Sequence, residues 1–176
     1  MKRIGIFLLT VLLTSCASPE PVSVKGEVIS CESVVADKSI TKGIFVECVD
    51  GSKGAILESL RGPMIINVWG SWCTTCLAEM PEFVSFYSKA KSKVQLVGVA
   101  VEEASPEDSR KFIEKHGMTW PNFYDREDTT RGFFGMGVPV TWFIDKNGEV
   151  AFKKIGVIKS EDELIKLTAK YLGVKI

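Results

Sequence analysis

The chain reads as an α/β protein, a mixed central sheet flanked by helices with an added β-hairpin near the N-terminal end. Three observations predict this. The apolar run Met64–Trp69 passes at residue 74 into helical periodicity. A second apolar run, residues 94–101, is again followed by helix-start signals, and residues 140–155 read as a hairpin ahead of a closing helix. With 176 residues, 45% of them apolar and 25% charged, the chain suits one hydrophobic core and leaves little room for a second.

Taken in order, Lys2 and Arg3 precede an apolar stretch over residues 4–13 that ends in Leu13-Thr14-Ser15-Cys16. This predicts a signal peptide over 1–15, too short to remain as a membrane span. The Leu-x-Ser-Cys ending resembles a bacterial lipobox, which makes Cys16 the lipid-carrying mature N-terminus. The alternative is an ordinary cleavage site at which Cys16 is an incidental small residue. Residues 16–23, with Pro19 and Pro21, read as a tether, and residues 24–176 as the folded domain.

Residues 28–31 and 44–49 are apolar or β-branched runs separated by polar residues and Gly43, the expected hairpin. Cys31 and Cys48 fall in these runs. A structural bridge between them would close a loop of about 18 residues and contribute on the order of 3 kcal/mol; two buried, unpaired thiols are the alternative.

After the turn Asp50-Gly51-Ser52-Lys53-Gly54, the run Met64–Trp69 predicts a central strand covered on both faces. Leu77, Met80, Val84 and Tyr87 then recur at helical spacing. Residues 94–101 form the next strand. Ser105-Pro106-Glu107-Asp108 supplies an N-cap, a proline at the first helical position and early acidic residues, and the helix stops at Gly117. Residues 121–124 are extended and 128–134 offer a short helix. Residues 140–144 and 149–155 flank Asp145-Lys146-Asn147-Gly148, a hairpin turn. Ser160 and Glu163 have capping-box spacing ahead of a helix that buries Leu164, Leu167 and Tyr171.

The chemistry concentrates in Trp72-Cys73-Thr74-Thr75-Cys76, at the strand-to-helix junction. Free backbone N–H groups and the helix dipole there stabilise an anion, and a thiolate is one. Cys73 opens the helix and is the attacking sulfur; Cys76, nearly a turn later, resolves the mixed disulfide. A Cys-x-x-Cys is also half a zinc site, but only Cys31, Cys48 and His116 could complete it in the mature fold, and no second close pair exists. No metal and no other cofactor is expected. Twenty-two basic against 22 acidic residues, or 20 against 22 without residues 1–15, give no electrostatic reason to expect nucleic acid as a partner.

The stretch Asn67-Val68-Trp69-Gly70-Ser71-Trp72-Cys73-Thr74-Thr75-Cys76-Leu77-Ala78-Glu79-Met80-Pro81 resembles the active-site region of the TlpA/ResA-like group of thioredoxin-fold proteins, membrane-tethered thiol–disulfide oxidoreductases of bacteria. The likeness runs over roughly residues 44–172, through Leu60-Arg61-Gly62, Val138-Pro139-Val140-Thr141 and Ile144-Asp145-x-x-Gly148. It implies a thioredoxin fold. It also implies a cis peptide before Pro139, opposite the cysteines, with the Val138 backbone free to pair with a bound polypeptide; Trp72, beside Cys73, is expected to be partly exposed and to contact substrate. Glu79 becomes a tuner of cysteine acidity, where its position alone suggests a solvated helix-surface carboxylate. Asn67 stands where thioredoxin carries a buried aspartate, so proton handling shifts to Glu79 or water. Pro81 is expected to kink the helix.

The resemblance further implies disulfide-containing exported proteins as substrates, apocytochrome c among them, and a CcdA- or DsbD-type membrane transporter as electron donor. Two rivals remain. The same chemistry run backwards is a dithiol oxidase, since tenfold in the equilibrium constant is only about 30 mV. A non-enzymatic thiolate metal carrier is of another class. A peroxidase on the same fold wants Pro-x-x-x-Thr-x-x-Cys, which neither Cys73 nor Cys76 has. His116 reads as a helix C-terminal cation and Glu102-Glu103 as a solvated loop.

Overall fold

The computed structural model describes residues 25–176; the signal peptide, Cys16 and the tether expected from the sequence lie outside the described residues. Seven strands form one sheet among these residues. They are β1 (Phe45–Cys48), β2 (Ala55–Ile56), β3 (Met64–Trp69), β4 (Gln95–Ala100), β5 (Asn122–Tyr124), β6 (Val140–Ile144) and β7 (Val150–Ile155). Three helices, α1 (Thr74–Ala90), α2 (Pro106–Lys115) and α3 (Glu161–Leu172), complete the fold. The strands run in the order β2-β1-β5-β4-β3-β6-β7. β3, β4 and β5 are parallel and the outer pairings are antiparallel, the mixed sheet expected of crossovers early in the chain and a hairpin late.

Every residue of β3 is buried, as a continuous apolar run requires. Alternation along it divides the interior. Ile65 and Trp69 face a core with Phe83 and Phe86 of α1 and Leu164 of α3, whereas Met64, Ile66 and Val68 face a second core with Phe123, Phe134 and Trp142. Both cysteines of the Cys-x-x-Cys belong to the first core; Cys31 and Cys48 belong to the second, across the sheet.

Cys31 and Cys48 are bridged, with 5.9 Å between their Cα atoms. Their segments are not hairpin partners, however. β1 pairs with β2 on one side and with β5 on the other, so the N-terminal hairpin is β1–β2. Ser30 caps a 3₁₀ turn over Cys31–Ser33, and the preceding chain pairs with the sheet through an isolated bridge from Ile29 to Pro121. Residues 128–134 form turns in place of the expected short helix: the Asp125 carboxylate accepts from the backbone N–H and hydroxyl of both Thr129 and Thr130, diverting those donors from a helical ladder.

Ser105 and Ser160 cap α2 and α3 as their spacing predicts. Glu163 reaches back to the N–H of Lys159, one residue beyond the position a strict capping box uses. α2 ends at Lys115 with Gly117 at φ +74°, a left-handed exit that favours glycine. In α3, Leu164 is fully buried and Thr168 joins it, while Leu167 and Tyr171 are half-buried against the same core. No helix among the described residues is long and apolar enough to cross a membrane.

Candidate active site

The carboxyl end of β3 delivers the chain into the turn Gly70-Ser71-Trp72 and then into α1, with Cys73 as N-cap. Cys73 is extended (φ −86°, ψ 105°), its N–H donates to Gly70 O at 3.0 Å, and its sulfur accepts from the N–H of Cys76 at 3.0 Å. The attacking sulfur therefore sits on an otherwise unpaired helix N-terminal donor, the local field that stabilises a thiolate. Cys73 and Cys76 are joined as a disulfide with Cα atoms 5.2 Å apart. Cys73 keeps 5% of its surface exposed and Cys76 none, so an incoming thiol or disulfide reaches Cys73 first.

Trp72 is 53% exposed and its indole folds back over Gly70, where a Cβ would lie 2.6 Å from Nε1; only glycine admits the ring there. The Val138–Pro139 peptide is cis. Val138 packs against the core that contains both active-site cysteines, and its backbone makes no hydrogen bond among the described residues. A cavity of about 370 Å³ opens beside it, lined in part by Trp72, Val138, Val68, Phe134 and the fully exposed Met136. Trp72, which directly precedes Cys73, and Val138, which precedes the cis proline, thus line one depression.

Glu79 lies three residues after Cys76 on α1, a spacing that puts side chains on one helix face. It is wholly buried, which excludes the solvated reading that its position alone allows. Asn67 Nδ2 donates to Oε1 at 2.8 Å and the backbone N–H of Ile158, just before α3, donates to Oε2 at 2.8 Å. Burial pushes this carboxyl up to about 7, and the two donated hydrogen bonds hold it from rising further. A group poised there can take or give a proton at neutral pH, a role Asn67 cannot fill itself. Asn67 Oδ1 has no partner among the described residues, so the amide serves Glu79 and nothing else.

Pro81 lies inside α1, which continues through it; the missing N–H leaves the carbonyl of Leu77 without its helical partner one turn past Cys76. Two expectations change. His116 caps the end of α2 against the ring of Phe112, and partial burial, then the Lys115 charge, lower its pKa, which works against the cation expected there. Glu103 is not solvated: its carboxylate accepts from both the N–H and the hydroxyl of Ser71 in the active-site turn. Neither Glu103 nor Ile158 carried a motif, because each reaches the site through the fold. The only legible signal was an acidic pair at the end of a central strand.

Residues 46–153 match the AhpC/TSA family. A thiol-disulfide oxidoreductase ResA of Geobacillus thermodenitrificans is 27% identical over 165 residues, spanning 92% of this chain and 93% of that protein. Another ResA, of Geobacillus kaustophilus, is 37% identical over 111 residues, 60% of this chain and 62% of the relative. Among solved structures, MTB dsbF superposes with a TM-score of 0.64 at 23% identity over 73% of this chain and 94% of that one. StoA of Bacillus subtilis superposes with a TM-score of 0.58 at 23% identity, covering 71% and 95%.

Proposed function

The chain belongs to the AhpC/TSA family and is a thiol–disulfide oxidoreductase of the ResA type on a thioredoxin fold; on that premise we propose that it works as a reductase of disulfides in exported proteins. The observation that supports the direction is the buried carboxyl of Glu79, one helical turn past Cys76, held by two hydrogen-bond donors and by no salt bridge among the described residues. A dithiol is oxidising when its reduced form is stabilised, as when a thiolate sits among positive groups. Here the helix N-terminus favours the thiolate at Cys73, and the acid one turn past Cys76 on the same helix face opposes it. Negative charge on Glu79 disfavours a neighbouring thiolate, destabilises the reduced pair and inclines it to pass its electrons on.

In the reaction the Cys73 thiolate attacks one sulfur of the substrate disulfide, and the other sulfur leaves as a thiolate that takes up a proton. Cys76 then loses its proton, with Glu79 as the acceptor, and attacks Cys73. The substrate's second thiol departs and the Cys73–Cys76 disulfide forms. Two electrons have moved from the enzyme to the substrate, and a donor dithiol must restore them. We place the chemistry outside the cytoplasm on a lipid anchor at Cys16, assign reloading to a CcdA- or DsbD-type membrane transporter, and name the Cys-x-x-Cys-His of apocytochrome c as the substrate class. Supporting this are the signal-like residues 1–16, the second disulfide Cys31–Cys48, which needs an oxidising compartment, and the ResA relatives. The reduction potential measured against glutathione tests the direction: a value above about −150 mV makes the protein an oxidase.

A further inference from the structure

Beyond β4 the ladder to β3 continues for one more bond, Val101 N–H to Trp69 O at 3.0 Å. The chain then turns sharply, with Glu102 at φ +52°, a left-handed conformation that a non-glycine residue rarely takes. That turn directs Glu103 back toward the active-site loop and away from solvent. One carboxylate oxygen accepts the Ser71 N–H; the other accepts the Ser71 hydroxyl at 2.6 Å. The adjacent carbonyl of Val101 accepts from the Trp72 indole at 3.4 Å. Among the described residues no basic side chain pairs with Glu103, so the half-buried carboxylate is committed to Ser71.

We propose that Glu103 is a positioning residue for the attacking cysteine, fixing the Gly70-Ser71-Trp72 turn so that the Cys73 sulfur is held at the helix N-terminus and aimed at the substrate disulfide. Cys73 follows Ser71 by two residues, and its own N–H is bonded back to Gly70 within the same turn. A turn held at Ser71 therefore has little freedom left at Cys73. An attack in line with a sulfur–sulfur bond demands such alignment, and loosening it lowers the rate without changing the nucleophile's chemistry. The inference rests on the reductase reading only for its choice of substrate.

The test compares Glu103→Gln, Glu103→Ala, Ser71→Ala and the Ser71→Ala/Glu103→Ala pair, each checked for folding by thermal melting. Two rates are read: kcat/KM for reduction of insulin disulfides, and alkylation of Cys73 by iodoacetamide across pH, which gives the thiol pKa. Glutamine keeps both bonds, its carbonyl accepting the Ser71 N–H and its amide donating to the hydroxyl oxygen. The expected result is a roughly tenfold loss of kcat/KM in Glu103→Ala, near-complete rescue in Glu103→Gln, and a double variant no worse than Glu103→Ala. Full activity in Glu103→Ala overturns the proposal. So does a Glu103→Gln variant as impaired as Glu103→Ala with a shifted Cys73 pKa, since charge would then be the operative property. A wild-type protein that fails to reduce insulin counts against the reductase reading, and the same variants are then compared by the rate at which the oxidised enzyme oxidises a dithiol peptide, an exchange that also passes through Cys73 and in which full activity of Glu103→Ala again overturns the proposal.

Discussion

Asn67 donates a 2.8 Å hydrogen bond to Glu79, from the middle of the central strand to the buried face of the active-site helix. An amide of the sheet thus supports a buried carboxyl that titrates about pH 7. The arrangement has a cost in stability that can be measured.

An unfolded carboxyl titrates near 4.5, whereas Glu79 in the folded protein is raised to about 7 by burial. The folded state therefore binds the extra proton between these values, and stability falls as pH rises from 4.5 to 7, levelling above it. The lost stability is about 3 kcal/mol. Glu79→Gln removes the titration, so its thermal midpoint should exceed that of the wild type at pH 8 and approach it near pH 4.5. Melting curves across that range check this; a wild-type stability that climbs between pH 5 and 7 would contradict the assignment.

The same variant separates the two chemical steps. Attack by Cys73 should survive in Glu79→Gln, while release of the mixed disulfide by Cys76 should slow about 10²-fold and lose its dependence on a group near pH 7. Single-turnover kinetics with a fluorescent mixed disulfide resolve both.

Cys76 is wholly buried and Cys73 is not, which sets the order of events. Cys76→Ala should accumulate substrate proteins covalently attached at Cys73, releasable by dithiothreitol. Cys73→Ala should accumulate none. Non-reducing gels of the two variants distinguish them.

Trp72 offers a half-exposed ring at the edge of the cavity beside Val138. Trp72→Ala should lower kcat/KM toward protein disulfides about tenfold, mainly through KM, as loss of a buried aromatic contact does. Reduction of a small disulfide such as oxidised glutathione should change little.

Much of this was legible in local patterns. The uninterrupted apolar run of β3, the change of period after residue 74 and the serine caps of α2 and α3 place the dithiol at a strand-to-helix junction from sequence alone. Long-range partners were not legible. Glu79 looks like a surface residue by its spacing and becomes buried because the chain before α3, 79 positions later, closes over it. Glu103 reads as loop because nothing in its neighbours reports a left-handed turn at Glu102. The runs around Cys31 and Cys48 were both apolar, but β1 finds better partners in β2 and β5, and Cys31 enters a capped 3₁₀ turn. The cis peptide at Gly62–Pro63 carried no sequence signal, in contrast to that at Val138–Pro139.

The two disulfides lie on opposite sides of the sheet, each buried in its own core. Their sulfurs cannot trade partners without unfolding, which makes the molecule a store of two electrons in spite of having four cysteines in bridges. A mild reductant should uncover two thiols quickly and the other pair only as the protein melts. Whatever reloads the enzyme can therefore be strongly reducing without dismantling the scaffold it reloads.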